Sequence, residues 1–352
     1  MAWRRLVRNP WGAGSLALIV IYALLALFAY VIAPDNSANA NQMHIAITSQ
    51  EPGFTVDMLL LPAGGADKGS NFLTGYASSC TEIPVEQGSV RVDGDQVHYQ
   101  EYVEGPEVDA TKTAQFDPAA GTPLVRQQTF LLGTDKYGRD LLSRLLVGAR
   151  ISLAIGLVAV LISLLIGIPV GAIAGYYGGK IDAAIMWVIN VTWSIPTLLL
   201  VIAITVALGK GFWQVFIAVG LTMWVEVARV VRGQVIAARE QQYVTAARAL
   251  GYNDRRIITK HVLPNVLAPV IVISAANFAA AILIESGLSF LGIGAQPPTP
   301  SWGAMIKDHY QYIILGKAWL AIIPGLAIMS LVMAFMLAGN ALRDALDVKS
   351  TT

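Results

Sequence analysis

Six predominantly apolar runs, each about 20 residues or longer, set the terms for this chain: residues 14–33, 151–175, 183–208, 212–231, 266–291 and 313–337. About 20 such residues cross the hydrocarbon core of a bilayer as a helix. Backbone polar groups in lipid must be satisfied within the segment, so these runs are expected to be helical. The fold expected is therefore an all-α membrane bundle of six transmembrane helices. Composition agrees, since 55% of residues are hydrophobic and 13% charged, against about a quarter charged in soluble domains. The first run is too long for a signal peptide. Val31-Ile32-Ala33-Pro34 offers no small-residue cleavage site, so the run is expected to stay as a membrane anchor.

Basic residues near the span ends orient the bundle. Arg4, Arg5 and Arg8 precede the first span, and Arg343 and Lys349 follow the last. Arg232, Arg239, Arg248, Arg255, Arg256 and Lys260 cluster after the fourth. All of these belong on the cytoplasmic side, which places both termini inside. Between Asp35 and Asp117 acids outnumber bases, so that stretch belongs outside. The net charge of +1 thus conceals a charge separation across the membrane.

The expected organisation is a cytoplasmic N-terminus and first helix (1–34), an extracytoplasmic insertion (35–130), a core of five further helices (131–345) and a short cytoplasmic tail (346–352). In the insertion, residues 89–103 alternate apolar and polar around Asp93-Gly94, a hairpin signal. A small β-containing subdomain is expected there. Cys80, the single cysteine, has no second cysteine with which to form an internal disulfide.

Residues 243–264 are polar and arginine-rich, yet lie between two spans. Read as a helix, Tyr243, Ala246, Ala247 and Leu250 fall at i, i+3, i+4 and i+7 and make one narrow apolar face. Gly251 suits the helix end because it tolerates positive φ. Asn253 can cap a second short helix through Ile257, Ile258 and Val262, and Pro264 opens the next span. Helix, glycine turn and helix together read as a docking element within loop 239–264.

Inside the spans, Gly167, Gly171 and Gly175 form a stripe that permits close helix packing. Pro169 and Pro196 are expected to bend their helices. Glu226 and Arg229, three apart, are expected to pair on one face. Glu285, with Ser286 and Ser289 nearby, is the candidate lining of a polar path, the alternative being an interhelical hydrogen bond. Ahead of the second span, Asp135, Arg139 and Asp140 are expected to form a local charge network that fixes its entry. Pro297 to Pro300 must turn at the outer surface, with Trp302 at the interface.

Other functions find little support. No GxxxxGK[S/T] phosphate loop occurs. His44, His98, His261 and His309 are scattered, with no metal-ligand spacing and no nucleophile arrangement, so no metal, no bound cofactor and no enzyme activity is expected, and no nucleic-acid partner. A self-contained secondary transporter would need more coupling residues than Glu226 and Glu285, and would leave the basic loop unexplained.

Thr245-Ala246-Ala247, Gly251 and Leu263-Pro264 resemble the cytoplasmic "EAA" loop of ABC importer permeases. Thr245 stands where glutamate is usual, and His261 where isoleucine is usual. The stretch GTDKYGRDLLSRLLVGARISL and the later ESGLSFLG and QPPTPSWG segments resemble the dipeptide/oligopeptide/nickel permease family, C-type subunit. The resemblance covers the first helix and residues 130–345. It implies the type I importer permease bundle, in a bacterial cytoplasmic membrane, importing peptides or a similar small solute. It also implies a B-type permease partner, two cytoplasmic ATPase subunits that use ATP and Mg, an external substrate-binding protein, and lipid contact. Tyr243, Thr245, Ala246, Ala247, Leu250, Gly251, Leu263 and Pro264 would then form the ATPase-coupling loop.

Overall fold

A computed structural model of the chain describes residues 2–62, 72, 74–76, 80–105, 110–118, 121–209 and 212–346. The helices run α1 (Ala2–Arg8), α2 (Pro10–Leu27), α3 (Ala29–Ile32), α4 (Leu141–Tyr177), α5 (Gly179–Ser194) and α6 (Thr197–Leu208). They continue with α7 (Phe212–Arg239), α8 (Gln242–Ala249), α9 (Asp254–Arg256), α10 (Leu263–Phe290), α11 (Trp302–His309) and α12 (Trp319–Leu346). Five helices are long and apolar enough to cross a membrane, or six if the bent pair α5–α6 is one span. Of the tail expected over 346–352, all but Leu346 lies outside the described residues.

The chain divides into two compact units. One comprises Met1–Ala23, Ser152–Gln296 and Leu326–Thr352; the other comprises Leu24–Ile151 and Pro297–Gly325.

In the first unit, the glycine stripe of α4 lies against α7. A Cβ at Gly167 would stand 2.6 Å from Val227 Cβ, and one at Gly175 would stand 2.7 Å from the Arg232 carbonyl. At Gly171 it would collide with the Ala228 carbonyl. Both helices therefore touch through backbone, as small residues permit in lipid. Pro169 sits inside the continuous α4. The third span bends at Pro196, as expected, and the bend is a full break at Ile195-Pro196, where the halves meet at 91°. Pro196 supplies no N–H and disfavours helix at the residue before it, and Ile195 is indeed extended. Glu226 and Arg229 make no ion pair. Arg229 instead donates to Asn190 Oδ1 at 2.7 Å and lies 3.6 Å from the Trp193 ring centre. The α5 surface thus offers the guanidinium both an amide and a π-face, which outcompete the carboxylate one turn back.

In the second unit, β1 (Phe54–Pro62) is central to the antiparallel order β2-β1-β6, with β2 (Cys80–Val85) and β6 (Leu124–Phe130). Both its faces are covered. Val56 and Met58 pack with Ile47 and Phe130, while Leu59 and Leu61 pack with Val85, Val97 and Tyr99. A second antiparallel sheet orders β3 (Arg91–Asp93), β4 (Gln96–Tyr99) and β5 (Lys112–Gln115). Its hairpin turns on Gly94 and Asp95, one residue beyond the expected Asp93-Gly94. Asp93 faces Gln96 in the register, and Gly94 carries the positive φ of 62°.

The start of α4 lies ten residues earlier than the apolar run suggested. Asp140 Oδ2 accepts from the Ser143 backbone N–H at 2.9 Å and from the Ser143 hydroxyl, a side-chain cap on the first turn. Beside it, Asp135 Oδ2 accepts from Arg139 Nε at 2.7 Å, and Oδ1 accepts from the Tyr137 and Arg139 amides. The expected charge network is present, with Asp135 as its hub. Burial raises the Asp140 carboxyl, and its bonds to Ser143 pull the other way. Lys136 pairs with Asp308 at 3.1 Å. Burial opposes the charge of that lysine, but Asp308 and Tyr137 together outweigh it and the net shift is upward.

Trp302 is packed inside the protein rather than presented to lipid or water. It is 1% exposed, and its indole N–H donates to the Leu145 carbonyl at 2.9 Å. Gly148 makes room for the ring, because a Cβ there would lie 2.9 Å from it. The last span begins at Trp319 rather than near Ile313. Tyr310–Ile313 is a 3-10 turn, and Gly316, at φ 79°, reverses the chain before α12.

Candidate coupling site

The turn after α7 is built by backbone rules. Helix α8 ends with the Gly251 N–H donating to the Arg248 carbonyl at 2.9 Å and the Tyr252 N–H donating to the Ala247 carbonyl at 3.2 Å. These two bonds define a Schellman closure, which requires a left-handed residue at its centre. Gly251 fills that position at φ 77°, with open space where a Cβ would be. Asn253 then caps the next helix, its side chain accepting from the Arg256 N–H at 2.9 Å.

From there the structure differs from a discrete second helix. Asp254 to Phe290 is one continuous helix, with a π segment over Ile257–Val262. Pro264 cannot donate an i→i−4 bond and its ring crowds the preceding turn, so the wider turn ahead of it absorbs both problems. Pro264 therefore sits in the first turn after the π segment, without a fresh helix start. Leu263, beside it, is half-buried.

Helix α8 is two-faced, though not along the expected line. Val244 and Ala247 are buried in a cluster with Val231, Val235, Ala238, Ile257 and Val262. Ala247 thus serves the chain's own core. Tyr243, Thr245, Ala246 and Leu250 remain outward, with Leu250 72% exposed. The outward set keeps an i, i+3, i+7 spacing, a narrow apolar stripe that nothing in this chain covers among the described residues.

Side-chain ties hold this turn to the bundle. The Tyr176 hydroxyl donates to Asp254 Oδ1 at 2.8 Å, and Arg248 lies over the Tyr176 ring at 5.2 Å. Arg239 donates to the Gly175 and Tyr176 carbonyls at 3.0 and 3.3 Å, capping the C-terminus of α4. Arg232 grips Asp182 through two bonds of 2.5 and 2.6 Å. Tyr176, Asp254 and Asp182 carried no sequence signal, because their partners lie 78 and 50 residues away.

The intramembrane candidates are gathered elsewhere on α10. Glu285 is fully buried, and Oε1 accepts from the Ser289 hydroxyl at 2.6 Å. Ser289 Oγ in turn accepts from the Ala295 N–H at 3.1 Å. The Glu285–Ser289 bond runs within one helix, and Ser286 lies half-buried beside it.

Five or six membrane-length helices and an outward-facing helical turn are compatible with a membrane permease subunit, and the family models assign that class. The model of the binding-protein-dependent transport system inner membrane component matches residues 167–349. That of the N-terminal transmembrane domain of oligopeptide transport permease C matches residues 1–52. This chain belongs to that family, as a C-type permease subunit of an ABC importer in the inner membrane. It is 44% identical over 217 residues to the dipeptide transport system permease protein DppC of Bacillus subtilis, covering 62% of this chain and 68% of that protein. It is 43% identical over 217 residues to DppC of Alkalihalophilus pseudofirmus, covering 62% and 71%. To the glutathione transport system permease protein GsiD of Pectobacterium atrosepticum it is 41% identical over 218 residues, covering 62% and 72%.

Proposed function

We propose that this chain forms half of the translocation path for di- or oligopeptides, or a similar small peptide-like solute. Both termini lie in the cytoplasm, and Gln242–Ala249 docks in a cleft of an ATPase subunit. ATP and Mg are used there, in two partner subunits. A B-type permease supplies the other half of the path, and an extracytoplasmic binding protein delivers the solute. The observation that carries the reading is the division of α8. Val244 and Ala247 lock one face into the bundle, while Tyr243, Ala246 and Leu250 stay outward. A push on the outward face passes directly through the Schellman turn and the continuous helix into α10. Closure of the ATPases would then tip the bundle from inward-facing to outward-facing. Thr245, in place of the usual glutamate, offers a hydroxyl to the ATPase where a carboxylate is expected.

The test is Leu250→Glu in the purified complex. The exposed site keeps the fold intact, and a buried apolar anchor lost at an interface weakens binding by about 30-fold (~2 kcal/mol). Retention of the ATPase subunits at the wild-type level would overturn the docking assignment.

A further inference from the structure

The break in the third span encloses something the family assignment does not explain. Where α5 and α6 meet at 91°, a cavity of about 220 Å³ opens, lined by Thr192, Trp193, Thr197, Thr222, Glu226 and Ile284 among others. That volume equals roughly seven waters, enough for the end of a small solute and too little for a whole oligopeptide. Glu226 stands midway along α7, within a helix long and apolar enough to cross a membrane, and an ionisable residue in such a helix is costly and tends to be functional. It makes no hydrogen bond or ion pair among the described residues. The arginine that would neutralise it, Arg229, is drawn to Asn190 and the Trp193 ring instead.

The broken helix adds to the negative character of this cavity. The Val191 carbonyl accepts from the Ser194 hydroxyl and the Thr192 carbonyl from the Ile195 N–H. That of Trp193, a lining residue, accepts no hydrogen bond among the described residues. A helix C-terminus carries a partial negative charge, and half-helix ends at membrane depth are recurrent cation sites. The Glu226 carboxylate, the Trp193 carbonyl at the helix end and the hydroxyls of Thr192, Thr197 and Thr222, two of which already donate within their own helices, together make a donor-seeking pocket.

We propose that the cavity at the α5–α6 break receives a primary ammonium group, with Glu226 as its counter-ion, and holds the amino terminus of the solute during passage. The peptide part of this assignment rests on the substrate class proposed above; the ammonium part does not. Binding places three N–H donors against the Glu226 carboxylate and the threonine hydroxyls, and Trp193 at the rim reports it.

The experiment measures tryptophan fluorescence of the full importer complex in nanodiscs, taking the Trp193→Phe complex as background. Methylammonium chloride, alanyl-alanine and N-acetyl-alanyl-alanine are titrated, with sodium chloride as the salt control. Methylammonium and alanyl-alanine should give a saturable Trp193 signal that sodium and the acetylated peptide do not. Glu226→Gln should weaken it about tenfold or more, and Glu226→Asp should largely restore it. An equal response to the acetylated peptide, or an unchanged Glu226→Gln curve, would overturn the site. Dipeptide uptake in proteoliposomes separates the two readings. Uptake without any Trp193 signal sinks the site and leaves the peptide reading standing. A methylammonium signal without peptide uptake does the reverse.

Discussion

The contact between α4 and α7 makes a prediction whose sign differs from site to site for the same substitution. In a helix, Gly→Ala gains about 1 kcal/mol of intrinsic propensity. At Gly167 the new Cβ would sit 2.6 Å from Val227 Cβ, against the roughly 3.5–4.0 Å of an ordinary carbon contact. Helix α4 must then retreat by about 1 Å along the seam, and overpacking of this kind costs about 1–3 kcal/mol. The net expectation is a loss of up to about 2 kcal/mol at Gly167, and likewise at Gly175. On α7, Gly233 has nothing within 4 Å of its would-be Cβ, so Gly233→Ala should stabilise by about 0.5–1 kcal/mol. One retreat of a stiff helix relieves both seam positions. The Gly167→Ala, Gly175→Ala double variant should therefore lose less than the sum, by about 0.5 kcal/mol or more. SDS-titrated unfolding of the purified chain in mixed micelles, followed by circular dichroism, reads all four. Stabilisation by Gly167→Ala equal to that by Gly233→Ala would refute the backbone-to-backbone seam.

Three further outcomes follow from individual contacts. Tyr176→Phe removes the bond to Asp254, and should lower solute uptake per ATP hydrolysed while leaving ATPase subunits bound; unchanged coupling would show the tie to be incidental. Gly251→Ala must hold a β-carbon at φ 77°, at a cost of about 1–2 kcal/mol, and should still transport, whereas Gly251→Pro cannot adopt that φ and should abolish uptake with the protein still in the membrane. His309 is buried, with Nδ1 beside the Met305 carbonyl at 2.7 Å and Nε2 accepting the Lys136 N–H at 3.4 Å, so its neutral form is required. Burial lowers its pKa from 6.5, with the Met305 bond and nearby acids opposing, and burial lowers His44 likewise against the charge of Asp35. The stability both contribute is complete above 6.5 and falls away as pH drops from there toward the folded values. Hydrogen exchange over residues 134–140 and 302–309, corrected for intrinsic rate, should accelerate in that window, and a His44→Gln, His309→Gln variant should flatten the dependence.

Much of the architecture could be read from residues alone, because the bilayer imposes a length and polarity rule that leaves few alternatives. The apolar runs pointed to the spans, though not to the break at Ile195-Pro196 or to where α4 and α12 begin. Gly251 and Asn253 announced the turn, since each has one local job. What escaped detection depends on partners distant in sequence. Asp140 read as part of a charge network and is also the cap that starts α4 ten residues early. Trp302, an interfacial residue by type, is buried because Gly148, over 150 positions earlier, leaves a notch for it. Arg229 and Glu226 satisfy the spacing of a helical pair, yet Trp193 and Asn190 on the neighbouring α5 capture the arginine. The narrow stripe on α8 was legible as a stripe, but only packing could divide it between the inward Ala247 and the outward Tyr243, Ala246 and Leu250.

In the proposed mechanism, this chain is one of two membrane subunits and energy from ATP reaches it through α8. Its most direct test is purification of the tagged chain from its native membrane in mild detergent, with co-purifying proteins identified by mass spectrometry. A second permease and ATPase subunits should co-purify, with the ATPase lost selectively in Leu250→Glu. Recovery of a stable chain alone, free of any ATPase, would contradict it.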